Sequence, residues 1–315
     1  MQFADRLNTA IRRLGTPVLV GIDPRPEDLP PGHLDRFPPD RAGVAEAIRI
    51  FGCGVVDVVM SLVPAVKFQA AFYEAYGPEG VAALHQTARH AKEQGLLVII
   101  DGKRNDIGST AEAYARAYLG KVPVGESFEP SWQADALTIN PYLGSDGVTP
   151  FVKVATRENK GIFVLVRTSN ASAIEFQDLV ANGLPLYRHV ANKVAQWGAA
   201  SRGESGYSLV GAVVGATYPA QLAELRAALP GVPFLVPGYG TQGGTATDVA
   251  PAFDPDGLGA IVNNSRGLTF AFERPAARAR HGANWQAAIE AAVRDMIEDL
   301  AANTPAGRLR VGKPS

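Results

Sequence analysis

Residues 96–110, LLVIIDGKRNDIGST, place Asp101, Lys103 and Asp106 directly after a wholly apolar run. Residues 96–100 of that run are typical of a strand that is buried on both faces, as in a parallel sheet. Side chains two positions apart on a strand point the same way, so we expect Asp101 and Lys103 to share one face. Asp106 follows where the chain turns into a helix. Burying a charge among apolar residues costs free energy unless the charge is paired or serves binding or catalysis. The stretch therefore predicts a functional site at a strand end.

Seven further apolar runs repeat this pattern, and segments with helical periodicity separate them. The eight runs are 17–23, 65–68, 96–100, 136–140, 162–166, 209–214, 234–236 and 260–262. The helical segments are 3–14, 40–62, 78–94, 109–119, 145–158, 184–199, 219–229, 244–253 and 284–302. Alternating strands and helices favour parallel pairing, and eight such units close naturally as a (β/α)8 TIM barrel.

This pattern predicts one α/β barrel domain over residues 1–303. The polar tail, 304–315, is expected to be frayed. Residues 120–133 form a Pro- and Gly-containing insertion to which the sequence gives no purpose. A doubly wound open sheet is the alternative fold, but no Gly-x-Gly-x-x-Gly fingerprint follows the first run.

Composition narrows the class of protein. The formal net charge is −1 and no basic block is present, which disfavours a nucleic-acid partner. Cys53 is the only cysteine, so no intrachain disulfide can form, and this suits a reducing cytoplasm. The N-terminus lacks the apolar core of a signal peptide, and no run of about eighteen apolar residues indicates a membrane span. We therefore expect a cytoplasmic protein.

Polar side chains occur at the predicted strand ends, where barrels of this type carry their chemistry. They are Asp23, Lys67, Asp101, Lys103, Asn140, Thr168 and Arg266. Lysines beside carboxylates stay protonated and can act as general acids, so Lys67, Asp101, Lys103 and Asp106 together indicate catalysis. The structural alternative is an ion pair that closes the barrel rim.

Two of these aspartates have a local alternative. Asp106 could cap the following helix, and Asp23 could form an Asx-turn before Pro24. Residues 109–112 have the Ser-x-x-Glu form of a capping box, so we expect Ser109 to cap that helix and to free Asp106.

Two late loops are suited to a phosphate group. PGYGTQGG at 237–244 follows the seventh run, and NNSRG at 263–267 follows the eighth. Small residues let backbone N–H groups approach an anion, and an arginine adds a planar pair of donors. In barrels this is the usual position for a phosphate. RTSN at 167–170 offers groups that could bind a flat heterocycle. The five histidines lack the spacing of metal ligands, so we expect no metal site.

The motif Asp-x-Lys-x-x-Asp-Ile-Gly-x-Thr at 101–110 resembles the signature of the orotidine 5′-phosphate decarboxylases, with the longer bacterial (type 2) form most similar. Asp23, Lys67 and the segments 168–170, 237–238 and 265–267 extend the resemblance in order along the chain. Asn105 stands where many relatives have glycine.

The resemblance implies a cofactor-free lyase that converts orotidine 5′-phosphate to UMP in pyrimidine biosynthesis, as a homodimer with shared active sites. Its implied site residues have four roles. The charged network consists of Lys67, Asp101, Lys103 and Asp106, and Lys103 is the proton donor to C6. The ribose is held by Asp23 and Lys67, together with Thr110 of the neighbouring subunit. The pyrimidine contacts Thr168 and Ser169, and the phosphate is held by Gln242 and Arg266. Asp106, like Thr110, reaches into the neighbouring subunit's site.

Three other functions fit parts of the pattern. A metal-dependent sugar-phosphate synthase or decarboxylase of the same barrel type carries a similar Asp-x-Lys-x-x-Asp motif, although the continuation at 107–110 favours the nucleotide enzyme. A class I aldolase would use Lys67 or Lys103 as a Schiff base, but neighbouring carboxylates keep a lysine protonated. A non-catalytic nucleotide-binding regulator could keep the fold without the reaction.

Overall fold

The structure, a computed structural model that describes residues 1–310, contains a closed barrel of eight parallel strands. The strands are β1 (Val18–Ile22), β2 (Ala65–Gln69), β3 (Leu97–Arg104), β6 (Ala136–Ile139), β7 (Gly161–Arg167), β10 (Val210–Val214), β11 (Phe234–Val236) and β12 (Ala260–Asn264). Around the barrel their order is β1-β12-β11-β10-β7-β6-β3-β2. The predicted single-domain (β/α)8 barrel is confirmed.

Thirteen α-helices lie within the described residues. They are α1 (Phe3–Leu14), α2 (Arg41–Val59), α3 (Ala70–Glu74), α4 (Gly77–Glu93), α5 (Gly108–Leu119), α6 (Ser145–Glu158), α7 (Ile174–Gln177), α8 (Leu186–Gly198), α9 (Pro219–Ala228), α10 (Ala246–Val249), α11 (Arg266–Thr269), α12 (Pro275–His281) and α13 (Trp285–Asn303). The predicted segment 244–253 is thus shorter as a helix, because a 3-10 turn at Ala250–Ala252 replaces its second half.

The barrel strands are apolar because both of their faces are buried. All five residues of β1 and of β10 are buried, as a parallel strand between helices and barrel interior requires. Helix α1 adds a lid at the amino ends of the strands, with Phe3 fully buried and its ring 6.0 Å from that of Phe163. Gly161 leaves room for this contact, since a Cβ there would lie 2.2 Å from the Phe3 ring.

Two hairpins interrupt the alternation of strands and helices. The insertion 120–133 forms one of them, β4 (Lys121–Val124) paired with β5 (Ser127–Pro130). The other, β8 (Val180–Ala181) with β9 (Leu184–Pro185), follows α7 in the segment after β7 and was not predicted.

The end of the chain differs in part from its prediction. Pro305–Arg310 forms a 3-10 helix in which Ala306 and Leu309 are buried, so this part of the tail is packed rather than frayed. Residues 311–315 lie outside the described residues. Among residues 1–310, no helix has the combination of length and apolar character that crossing a bilayer demands.

Candidate active site

A cavity of about 700 Å³ opens at the carboxyl ends of the barrel strands. Its lining comes from β2, β3, β6, β7, β10, β11 and β12 and from the loops that follow β1, β7, β11 and β12. The predicted site residues that line it are Asp23, Lys67, Asp101, Lys103, Thr168, Ser169, Gln242 and Arg266. Most of the strand-end residues therefore line one continuous site. Asn140 does not, and its side chain instead accepts from the Tyr142 backbone N–H. Of the site residues that the resemblance implies, only Asp106 and Thr110 lie outside this cavity.

Asp101, at the centre of the charged network, accepts four hydrogen bonds. Its Oδ1 lies 2.7 Å from Lys103 Nζ and 2.7 Å from the Thr138 hydroxyl oxygen. Its Oδ2 lies 3.0 Å from Lys67 Nζ and 3.2 Å from Gln69 Nε2. Burial alone would raise the pKa of Asp101, but the two lysines and the hydrogen bonds outweigh it and hold that pKa far below its ordinary value. The carboxylate is therefore charged and immobile.

Lys67 is almost fully buried, with 5% of its side chain exposed, and lies between two carboxylates. Burial alone would lower the pKa of Lys67, but the charges of Asp101 and Asp23 outweigh it, so the pKa is raised and the ammonium is retained. Asp23 Oδ1 lies 3.8 Å from Lys67 Nζ and accepts a hydrogen bond from the Gln69 backbone N–H. Asp23 thus makes its hydrogen bond to β2 and not within an Asx-turn of its own.

The backbone of β3 is irregular where it enters the site. The pairing of β3 with β6 shifts between Ile100 and Arg104, and Lys103 has a φ of 45°, which is unusual for a residue other than glycine. Thr138 stabilises this bend, since its hydroxyl group accepts from the Lys103 backbone N–H and donates to Asp101. Strain of this kind often accompanies function, and here it brings the Lys103 ammonium to the Asp101 carboxylate.

Asp106 and Thr110 lie at the start of α5. The Asp106 carboxylate accepts from the Ile107 backbone N–H, and no other hydrogen bond holds it within residues 1–310. The predicted capping box is wrong: α5 begins at Gly108 with Ile107 as its N-cap residue, so Ser109 already lies inside the first turn and caps nothing. Thr110 is exposed on that turn.

The two late loops form the opposite side of the cavity. Arg266 begins α11, is exposed, and makes no ion pair within the described residues, so its guanidinium is available to an anion. Asn264 lies between the loops and accepts from the Gly267 backbone N–H. Gly240, with a φ of 77°, approaches Asn264 so closely that a Cβ would lie 3.1 Å from its amide nitrogen. The glycines therefore let two loops meet around one amide.

The segment after β7 closes the third side. Thr168 and Ser169 line the cavity, and Gln177 contacts the Thr168 backbone and hydroxyl group. Three further residues line the cavity and were not predicted from the sequence: Gln69, Thr138 and Gln177. Gln69 could have been found, because it lies two positions after Lys67 on the same strand. Asn263 has a buried side-chain oxygen without a hydrogen-bond partner in the described structure, and it lines the cavity beside Ser265.

The described residues contain no cluster of three or more histidine, cysteine, aspartate or glutamate side chains that could hold a metal ion. The chemistry available to the site is that of two ammonium groups around one fixed carboxylate, with a free guanidinium across the cavity. Such an arrangement can bind an anionic substrate at one end and stabilise a developing negative charge at the other.

Comparison with known proteins gives the same family throughout. A family model described as "Orotidine 5'-phosphate decarboxylase / HUMPS family" matches residues 20–281. The chain is 49% identical to orotidine 5′-phosphate decarboxylase of Rhodopirellula baltica, over 95% of this chain and 99% of that protein. It is 42% identical to the protein of the same name from Caldicellulosiruptor bescii, over 87% of this chain and 91% of that protein.

Solved structures agree with the sequence relatives. The structure of Leishmania donovani OMP decarboxylase superimposes with a TM-score of 0.70 at 31% identity, covering 96% of this chain and 98% of that chain. The family match covers the strands and loops that build the cavity, and the identity to full-length relatives is well above what a shared fold alone would give. The chain therefore belongs to the orotidine 5′-phosphate decarboxylase / HUMPS family.

Proposed function

We propose that this protein decarboxylates orotidine 5′-phosphate to UMP in pyrimidine biosynthesis, without a cofactor. The observation that carries the proposal is the Asp101 carboxylate, which is held charged between the Lys67 and Lys103 ammonium groups inside the cavity. The family and the names of the similar proteins support the substrate. We also propose a cytoplasmic location, as the single cysteine suggests.

The substrate would span the cavity. Arg266 and Gln242 would hold its phosphate, where backbone N–H groups of the glycine-rich loops can also approach an anion. Asp23 and Lys67 would hold the ribose, and Thr168 with Ser169 would contact the pyrimidine. In this orientation C6 of the base, which carries the carboxylate that is lost, faces Asp101 and Lys103.

The reaction then needs only charges that are already in place. The bond between C6 and the carboxylate carbon breaks, CO₂ leaves, and the electron pair stays on C6. Asp101 would repel the substrate carboxylate, and this repulsion disappears as CO₂ departs. Lys103 would stabilise the negative charge on C6 and then donate a proton from Nζ. Because fixed charges need no reorganisation in the transition state, they can contribute most of the rate enhancement.

Asp106 and Thr110 would serve the site of a second subunit. Both lie outside the cavity of their own chain, and their surroundings carry large exposed apolar side chains: Ile107 is 54% exposed, Tyr142 84% and Leu143 44%. Contiguous exposed apolar residues are typical of an interface. A homodimer in which each Asp106 completes the partner's charged network would explain both observations.

The experiment that tests the function follows the ultraviolet absorbance of orotidine 5′-phosphate with the purified protein in excess EDTA. Loss of the substrate absorbance with release of UMP is the expected result. A metal-dependent sugar-phosphate enzyme of the same family would be inactive in EDTA until its metal ion is added again. A nucleotide-binding regulator would bind UMP but leave the absorbance unchanged. Either of these outcomes would overturn the proposal.

A further inference from the structure

The segment that follows β7 is fastened to the barrel by Gln177, the last residue of α7. We propose that Gln177 is a positioning residue for the pyrimidine end of the substrate: it fixes Thr168 so that Ser169 presents its hydroxyl group to the base. This role rests on the proposed function, which brings the pyrimidine to Thr168 and Ser169.

Both ends of the Gln177 amide are engaged. Its Oε1 accepts from the Thr168 backbone N–H at 2.9 Å and from Arg167 Nη1 at 3.2 Å. Its Nε2 donates to the Thr168 hydroxyl oxygen at 2.8 Å. One side chain therefore holds the backbone and the hydroxyl group of a residue nine positions earlier, and it closes the intervening loop.

Arg167 determines which way round the Gln177 amide lies. Arg167 is fully buried, and its guanidinium carbon is 3.9 Å from the centroid of the Tyr218 ring, so it cannot turn away. A guanidinium can only donate hydrogen bonds. The amide oxygen must therefore face Arg167, which leaves the amide nitrogen to face the Thr168 hydroxyl group. A reversed amide would place donor against donor at both Arg167 and the Thr168 N–H.

The consequence is that the hydroxyl groups of Thr168 and Ser169 differ in the hydrogen bonds they can still make. The Thr168 hydroxyl group accepts from Gln177 and donates to Asn170 Oδ1 at 2.6 Å, so its only proton is already used. Ser169 lines the cavity, and its hydroxyl group has no hydrogen-bond partner within residues 1–310. Of the two hydroxyl groups, Ser169 alone can still donate to a carbonyl oxygen of the pyrimidine as well as accept from its ring N–H.

The Ser169 backbone is held from the other side as well. Its carbonyl oxygen accepts from the Thr217 hydroxyl group at 3.2 Å. Gly215 follows β10 and lies so close that a Cβ there would be 2.9 Å from the Ser169 Cα. Gln177 on one side and Gly215 on the other therefore restrict the 168–169 backbone to the arrangement in which Ser169 lines the cavity, where the base would lie.

The test compares a ligand that has the base with one that lacks it. Binding of UMP and of ribose 5-phosphate is measured for the wild type, Gln177→Ala and Gln177→Met. We expect both variants to weaken UMP binding by about tenfold or more, the effect of losing one or two hydrogen bonds. Ribose 5-phosphate binding should change by less than about twofold, because phosphate and ribose contacts are untouched. Gln177→Met fills the same space and gives the answer if the alanine variant is unstable.

Two further variants sharpen the result. Gln177→Glu keeps the acceptor for the Thr168 N–H and Arg167, so UMP binding should stay within about threefold of wild type. Gln196→Ala on α8 is the matched surface control and should change the affinity for neither ligand.

Equal losses of affinity for UMP and ribose 5-phosphate, or no loss for either, would overturn the role of Gln177. Failure of the wild type to decarboxylate orotidine 5′-phosphate would instead overturn the proposed function, and the ratio of the two affinities would still test Gln177. A wild type that binds neither ligand would overturn both.

Discussion

At the scale of single residues, Lys103 and Arg266 have separate proposed roles: Lys103 acts at the reacting carbon and Arg266 binds the phosphate. Lys103 contacts the fixed Asp101 carboxylate, and 44% of its side chain is exposed at the cavity, so its ammonium can follow a charge that develops there. Arg266 lies across the cavity on a separate loop. Removing each side chain should therefore impair a different kinetic parameter.

Lys103→Ala should lower kcat by about 10³-fold or more, because it removes both the proton donor and a charge that stabilises the carbanion. UMP binding should survive, since the phosphate and pyrimidine contacts remain. Single-turnover measurements on orotidine 5′-phosphate together with UMP titration check this. Lys153→Ala, an exposed lysine on α6, is the control. A variant that keeps substantial kcat would show that the proton comes from elsewhere.

Arg266→Ala should act mainly on binding. Loss of a charge-assisted pair of hydrogen bonds to phosphate corresponds to a rise in KM of roughly 10- to 100-fold. The measurement is kcat and KM for orotidine 5′-phosphate, with Arg280→Ala on α12 as control. Unchanged kcat/KM would mean that another group holds the phosphate.

At the scale of elements, a buried carboxylate joins four parts of the barrel at the end opposite to the site. Asp135, just before β6, lies 2.7 Å from Arg6 of α1, 3.2 Å from Lys92 of α4 and 3.4 Å from Lys160 before β7. Its Oδ2 also accepts from the Val98 backbone N–H of β3. The site residues are far from this cluster, so its contribution is to stability.

Asp135→Asn should lower the free energy of unfolding by about 3 kcal/mol at neutral pH, because three cations lose their counterion. Burial, together with Lys92 and Arg6, lowers the pKa of Lys160 from 10.5 to about 8 despite Asp135. A lowered lysine pKa means that the folded chain releases this proton before the unfolded chain does, so this residue's contribution to stability increases between about pH 8 and 10.5. In the variant Lys160 should release its proton at lower pH still, so the deficit relative to wild type should shrink as pH rises.

Urea unfolding of the wild type and Asp135→Asn at pH 6, 7 and 9 checks this. Asp146→Asn, an exposed aspartate in the first turn of α6, is the matched control. A deficit that is constant or that grows with pH would contradict the assigned charge on Lys160.

Prediction from sequence succeeded where the determining contacts are local. A run of apolar residues indicates a buried strand, so Asp101, directly after one such run, and Lys67, near the end of another, were predicted to lie close to the strand ends where the cavity opens. Gln177 could not be found in this way, since its role depends on a loop that returns to Arg167 and Thr168. The capping box failed for a different reason: its pattern was present, but α5 begins two residues earlier than the pattern requires, with Ile107 and not Ser109 as its N-cap residue.

At the scale of the whole molecule, the proposed homodimer would have one consequence that a site within a single chain does not have. If Asp106 acts across a two-fold interface, Lys103→Ala and Asp106→Ala disable different contributions to each site. In a hybrid dimer one site then carries both defects and the other carries neither.

Unfolding, mixing and refolding the two variants should therefore restore activity. Random mixing makes half of the dimers hybrid, so roughly a quarter of all sites should be intact. The measurement is orotidine 5′-phosphate turnover of the mixture against each variant refolded alone. A mixture as inactive as its parents, with subunit exchange verified, would place Asp106 in the site of its own subunit.

The cavity draws its charged network from β1, β2 and β3 and its anion-binding loops from β11 and β12, and β1 pairs directly with β12. A ribosome must therefore translate almost the whole message before any part of the product can hold its substrate. A nonsense codon between residues 237 and 260 would remove β12 and leave β1 and β11 as unpaired edges, which invite aggregation. Truncated products of this gene should thus be targets for the cell's proteases and not slower enzymes.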